Sequence, residues 1–235
     1  MSLAHISHND LRQFAADKVN LPADKARVYR AQARRVRELL DKHIASHPDF
    51  ALKKILLSGS LAKGTALRSI NDIDNALYID SDDAPSKVAE LLDFIAEKLR
   101  GIPNLNYDQV KPNSFSVTVS FKGTGLDVDV VPILYYGDPD WRGDLISQDD
   151  GTRLMTSIPM HLDFSKKHKD AQPTHFAQVV RLVKYWARRH KQENSSFRFK
   201  SFMIEMILSH LCDRGISFSD YPEALAQFFN YVATT

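Results

Sequence analysis

Three short runs of this sequence carry acidic and phosphate-handling side chains at spacings that fit a single site. Gly59-Ser60 stands ahead of Asn71-Asp72-Ile73-Asp74, and Asp127-Val128-Asp129-Val130-Val131-Pro132 follows much later in the chain. Alternate side chains of a strand share a face, so Asp72 and Asp74 aim at one point, and Asp127 and Asp129 do the same. Converging carboxylates are what two divalent ions about 3.5–4 Å apart require. One ion lowers the pKa of an attacking hydroxyl, while the other holds a triphosphate and neutralises the leaving pyrophosphate. A Gly-Ser turn that opens a short helix adds backbone N–H groups and a hydroxyl for a phosphate. The chemistry these groups imply together is two-metal nucleotidyl transfer.

Each run also has an ordinary reading. Gly59-Ser60-Leu61-Ala62-Lys63-Gly64-Thr65 looks at first like a Walker loop, but its order is Lys-Gly-Thr instead of Gly-Lys-Thr, so the usual lysine and hydroxyl are out of place. Asx residues near a strand start are often turn formers. Asp74, however, lies between Ile73 and Ala76-Leu77-Tyr78-Ile79, inside the strand itself, where Asp is disfavoured and needs a compensating cation. Either Asp127 or Asp129 can supply a third carboxylate. Asp129 takes precedence, because it sits among Val128, Val130 and Val131, where an unpaired charge is costly.

The elements that must position these groups follow from periodicity. Residues 23–47 carry a helical apolar side opposite Arg27, Arg30, Arg34, Arg35 and Arg37, and Pro48 stops the helix. Ile55-Leu56-Leu57 reads as a short buried strand leading into the Gly59-Ser60 turn, with a short helix over 60–66. The next strand covers 73–79. Residues 84–99 form an amphipathic helix between Pro85 and Gly101. Phe115, Val117, Val119 and Phe121 alternate with Ser and Thr as a half-buried strand does, and 126–134 return as its partner. Residues 135–173 are rich in Gly and Pro and read as irregular; loops of that length are usually functional or mobile. Three helical stretches follow, over 174–191, 199–213 and 221–233. The expected fold class is α/β (α+β), a mixed sheet with a long N-terminal helix, a C-terminal helical lobe and a ligand cleft between them. The expected divisions are 1–135, a connecting region 136–173, and 174–235.

Composition narrows the function classes. A net charge of +2 gives no global pull toward nucleic acid, and a single cysteine, Cys212, rules out an internal disulfide or a cysteine-rich zinc site. No apolar run approaches the roughly 20 residues that span a bilayer, and the N-terminus lacks signal-peptide character. The expected setting is cytoplasmic.

The chain resembles the polymerase-β-type nucleotidyltransferases, and within them the CD-NTase and 2′-5′ oligoadenylate synthetase branch. Gly59-Ser60, Lys63-Gly64-Thr65, Asp72-Ile73-Asp74 and Asp129-Val130-Val131-Pro132 carry the superfamily likeness. Val180-Arg181-Leu182-Val183-Lys184-Tyr185-Trp186 and Lys200-Ser201-Phe202-Met203-Ile204-Glu205 carry the branch. The resemblance implies that Asp72, Asp74 and Asp129 hold two Mg²⁺ ions, with Mn²⁺ able to substitute, and that Asp129 helps activate the acceptor hydroxyl. It implies that Gly59 and Ser60 meet the donor triphosphate, that Lys184 reaches its β- and γ-phosphates, that Ser201 adds a hydroxyl, and that Phe202 stacks on a base. Family members continue past the helix that here ends near Tyr231.

The expected function is the joining of NTPs, ATP among them, into a cyclic or short linear oligonucleotide messenger of the antiphage type. The expected partners are an activating protein or nucleic acid, acting on a monomer. Two alternatives are transfer of NMP to RNA 3′ ends or to a protein, and a nucleotide-binding antitoxin with little turnover. Other features read as ordinary. Arg181, Lys184 and Arg188 make one helical stripe that, without the family, is as readily a solvated face. Phe202 reads as core on pattern alone. His43 and His47 lack a third ligand nearby. His161 falls in the irregular region. Lys166-Lys167-His168-Lys169 and Arg188-Arg189-His190-Lys191 read as solvated faces.

Overall fold

The structure is a computed structural model that describes residues 5–45, 52–70, 72–80, 88–103, 105–121, 125–147 and 149–234. It divides into two compact units. One is Ala23–Lys63 with Asn71–Leu162; the other is Met1–Pro22 with Gly64–Ile70 and Asp163–Thr235.

The first unit is built on a mixed seven-stranded sheet. Its strands are β1 (Leu52–Leu57), β2 (Asp72–Asp80), β3 (Val110–Pro112), β4 (Val117–Phe121), β5 (Leu126–Tyr135), β6 (Gly143–Ile146) and β7 (Arg153–Thr156). The main path runs β1-β2-β5-β4-β3, with β6 added to β5 and β7 to β6. Only the central pair, β2 and β5, is parallel; every other pair is antiparallel. Helix α2 (Ala23–Ala45) packs on β1, β2 and β5, and helix α4 (Val88–Arg100) packs on β3 and β4.

Alternation assigns the two faces of β2. Asn75 donates from its side chain to the Ala33 carbonyl of α2 at 3.3 Å, so the odd-numbered residues of β2 face that helix. The even-numbered ones face away: Asp72, Asp74, Ala76 and Tyr78. Toward the end of the strands, Tyr78, Tyr135 and Trp141 cluster around Ile133. Tyr135 and Trp141 stack at 4.7 Å, and the Lys54 ammonium lies 4.2 Å from the Trp141 ring. This face is thus acidic where β2 and β5 begin and aromatic where they end.

Residues 136–173 are not the irregular stretch expected. They contain β6, β7 and the whole of helix α5 (Ile158–Ala171). Four-residue strands are too short for alternation to register. The residues of β7 are mostly exposed, which removes its apolar signal as well. Pro159 reads as a breaker but sits in the first turn of α5, where its missing N–H costs nothing. His161 therefore lies on a helix and not in a loop.

The second unit is helical. Beside part of α5 it holds α1 (His8–Phe14), a π-helical turn over Ala15–Val19, α6 (His175–Glu193), α7 (Ser201–Asp213) and α8 (Tyr221–Thr234). Phe176, Val179, Val180, Val183 and Ala187 of α6 repeat at helical spacing. They bury against Ile204, Leu208, Leu211, Phe218, Phe228, Ala15 and Val19. Helix α1 opens with a capping box: the Ser7 hydroxyl accepts from the Asp10 N–H at 3.2 Å, and the Asp10 carboxylate accepts from the Ser7 N–H at 2.9 Å. Among the described residues, no helix is long and apolar enough to cross a membrane.

Candidate active site

The parallel pairing of β2 with β5 sets the geometry. Asp72 lies opposite Asp127 and Asp74 opposite Asp129, in register. Neighbouring strands run about 4.8 Å apart, so four carboxylates occupy adjacent rows on one face of the sheet. Asp72 is exposed, whereas Asp74, Asp127 and Asp129 are half-buried.

Asp74 is held by the turn that precedes it in sequence. Gly59, the first residue of helix α3 (Gly59–Lys63), has φ +64°. A β-carbon built on it falls 1.7 Å from Asp74 Oδ2. The Gly59 backbone therefore sits directly on the Asp74 carboxylate, and only glycine leaves room for it. The Ser58 N–H donates to the Asp74 carbonyl at 2.8 Å, tying turn and strand together. Ser60 follows Gly59 immediately, so the hydroxyl marked by the sequence belongs to the same turn.

Asp129 is shaped by β4. Thr118 stands opposite it in the antiparallel ladder, and the Thr118 hydroxyl donates to Asp129 Oδ1. Burial pushes the Asp129 carboxyl above the usual carboxylate range. The Thr118 hydrogen bond opposes that rise, and the charges of Asp72 and Asp127 add to it.

These residues fit a divalent cation. They are hard oxygen donors on adjacent strands, one carboxylate is cradled by backbone, and like charges are crowded where a cation would relieve them. Among the described residues, no three carboxylate, histidine or cysteine side chains are already gathered closely enough to grip an ion. His43 is described, but His47 lies outside the described residues, so the pair has no geometry here.

The helical unit carries the other expected residues. Lys184 is buried, at 6% exposure, and its ammonium donates to Glu205 Oε1 at 2.7 Å and to the Thr65 hydroxyl at 2.9 Å. Thr65 in turn donates to the same Glu205 oxygen at 3.2 Å. The α6 stripe is therefore not a solvated face. Arg181 donates to the Gly64 carbonyl at 2.7 Å, and Arg188 to the Ser69 carbonyl at 2.7 Å. The three cations together grip the segment 64–69. Burial lowers the Arg181 pKa. Sequence reasoning overlooked this segment as an acceptor because carbonyl oxygens leave no trace in residue type. Ser201 begins α7 and is exposed. Phe202 is 48% exposed, so it is not the core residue its pattern suggested. In the run 166–169, Lys166 and Lys167 are exposed, but His168 is 1% exposed and bonds to the Phe164 carbonyl and to Asp213.

No family model matches the chain. It is 60% identical over 236 residues to the cyclic AMP-AMP-AMP synthase of Escherichia coli strain MS 115-1, spanning 100% of this chain and 74% of that protein. It is 30% identical over 234 residues to the CBASS oligonucleotide cyclase CdnC of E. coli strain KTE188, spanning 97% of this chain and 73% of the relative. The structure of E. coli MS115-1 CdnC with ATP matches at TM-score 0.91 and 60% identity, over 98% of this chain and 73% of that one. The same protein in complex with HORMA-deltaN matches at 0.89 and 59% identity, over 98% and 72%. Of the activities weighed from sequence, oligonucleotide synthesis is the one these relatives bear out, ahead of transfer to RNA or protein and of binding without turnover. Identity at this level, over the whole chain, makes it a member of the CD-NTase family, the CBASS oligonucleotide cyclases: a nucleotidyltransferase with a polymerase-β-like fold that joins nucleoside triphosphates into an oligonucleotide second messenger.

Proposed function

We propose that this enzyme makes a cyclic trinucleotide of AMP from ATP, using divalent cations, two Mg²⁺ by preference, at Asp72, Asp74 and Asp129. The observation that carries the reading is the in-register pairing of Asp72-Ile73-Asp74 with Asp127-Val128-Asp129, with the Gly59 backbone seated on Asp74. The product follows the name of the 60% identical relative, and ATP follows its bound structure. When bound, the cations supply charge neutralisation at the triphosphate and a more acidic acceptor hydroxyl. The reading requires the carboxylates to draw in on them.

The chain's own groups do the rest. A ribose hydroxyl of one nucleotide attacks the α-phosphorus of another, the new P–O bond forms, and the bond to pyrophosphate breaks. Asp129, half-buried and hydrogen-bonded by Thr118, helps activate the acceptor hydroxyl. The Ser60 hydroxyl donates to the donor triphosphate beside the Gly59 backbone. Ser201 and the exposed ring of Phe202 are proposed nucleotide contacts, on the strength of the resemblance. Lys184 can serve a triphosphate only by sharing or exchanging its Glu205 partner. A HORMA-type protein is the proposed activator, because the relative forms such a complex. A cytoplasmic setting remains our reading, and so does a monomer in the uncomplexed state, which light scattering of the purified protein tests.

The deciding experiment supplies each labelled NTP with Mg²⁺ or Mn²⁺ and resolves products before and after phosphatase. A phosphatase-resistant product containing three AMP units is expected from ATP. Label appearing only in RNA or protein overturns the reading, and a resistant product built from other bases overturns its substrate assignment.

A further inference from the structure

We propose that Thr118 and Asn113 are positioning residues that set the orientation of the Asp129 carboxylate toward its cation; this rests on the reading of Asp129 as a metal-binding group. The hydroxyl of Thr118 has a single proton, and the surrounding atoms dictate where it points. Asn113 Nδ2, which can only donate, donates to Thr118 Oγ1 at 2.6 Å. The hydroxyl oxygen is therefore an acceptor on that side, and its proton is committed to Asp129 Oδ1. Asn113 is itself held in place. Its amide also donates to Ser116 Oγ at 3.3 Å, and its backbone N–H donates to the Ser116 carbonyl at 2.7 Å across the β3–β4 turn.

A one-way relay results: turn, amide, hydroxyl, carboxylate. It engages one oxygen of Asp129 and fixes the plane of the group, leaving the second oxygen for the ion. Strand register makes the relay possible, since Thr118 lies directly across from Asp129. Partners one shell beyond a ligand orient it, and their loss costs about 10- to 100-fold in metal affinity or activity. A threonine kept here only for strand formation would not show that loss, because valine has the same shape and a comparable strand preference.

The test uses the full chain with Mn²⁺ as probe. Free Mn²⁺ is read by its paramagnetic resonance in the presence of a non-hydrolysable ATP analogue, and turnover is measured separately at saturating ATP. Thr118→Val is expected to weaken Mn²⁺ binding and lower kcat, each by about 10- to 100-fold, while Thr118→Ser restores both. Asn113→Ala, which keeps the hydroxyl but frees its direction, is expected to fall between them. Wild-type Mn²⁺ affinity in Thr118→Val overturns the proposal. If that variant does not fold, wild-type affinity in Asn113→Ala overturns it instead. Asp129→Asn separates the two claims: full turnover in it sinks the metal assignment itself, whereas a dead Asp129→Asn beside an unaffected Thr118→Val sinks only the positioning role.

Discussion

Replacing Gly59 by alanine puts a methyl group where the structure has the carboxylate of Asp74. The new carbon would lie 1.7 Å from Oδ2, 2.7 Å from Cγ and 3.1 Å from Cβ of Asp74. Ordinary contact begins near 3.4 Å, so the oxygen must retreat to about twice its present separation. A misplacement of about 1 Å at a reacting centre costs about 100-fold in rate, or about 2.7 kcal/mol of barrier. A second effect is separate from the clash. At φ +64° an alanine carries about 1–2 kcal/mol of backbone strain. Gly137 isolates this second effect: its φ is +82°, and nothing lies within 4 Å of the place a β-carbon would take there. Gly137→Ala should therefore lose only the backbone-strain share of stability in thermal melts, and Gly59→Ala at least that much. Only Gly59→Ala should lose turnover of labelled ATP, by about 100-fold or more. Wild-type turnover in Gly59→Ala, or equal losses in the two variants, would refute the claim that this glycine exists to admit the Asp74 carboxylate.

Three further outcomes follow from buried or titrating groups. Glu205→Leu leaves the Lys184 ammonium buried without its anion and should cost about 3–5 kcal/mol in urea unfolding, while adding Lys184→Met should recover most of it; equal losses in single and double variants would show that the pair is not coupled. Burial holds the Asp129 carboxyl high, with Thr118 opposing and Asp72 and Asp127 adding, so its contribution is favourable below the ordinary carboxylate pKa of about 3.9 and is lost as pH rises through the raised folded value. Asp129→Asn should then melt higher than the parent at neutral pH without divalent metal, and lose that advantage on acidification; a lower neutral-pH melting point contradicts this. Asp213 is the opposite case: hydrogen bonds from His168 and Lys167 hold its carboxyl low. Its contribution is present above the ordinary range and disappears as pH falls through the lowered value. Asp213→Asn should be less stable than the parent near neutrality and converge with it in acid, as melts across pH would show.

Much of the site was legible because its signals are local. A carboxylate inside an apolar strand is expensive enough to announce a purpose, and strand alternation places Asp72 with Asp74 without further information. The observed β2, β4 and β5 match the expected strands to within a few residues, and helices α6, α7 and α8 match the three expected stretches. The helix expected over 84–99 is seen as Val88–Arg100, its first residues lying outside the described ones. What escaped was of another kind. The parallel register of β2 with β5 is a long-range pairing that no local pattern encodes. Thr118 looked like any strand threonine. The grip of Arg181 and Arg188 on segment 64–69 depends on backbone acceptors. Helix α1 did have a readable signal, Ser7 followed three residues later by Asp10, and it went unread.

The aromatic end of the central strands has a consequence for how the sheet responds to its cargo. Tyr78 receives the Ile158 N–H at 2.9 Å, meets Trp141 edge-on at 5.4 Å, and shares it with Tyr135. The two strands are clamped at their far ends by this aromatic packing, whereas at their acidic ends they are held by the Gly59 turn and by hydrogen bonds. Slow amide exchange should concentrate at the clamped root, and the tips should be the part that yields when charge arrives. Stiffness graded along a single strand lets one polypeptide be both foundation and instrument, with Asp72, the exposed carboxylate at its tip, able to adjust while the registry behind it does not slip.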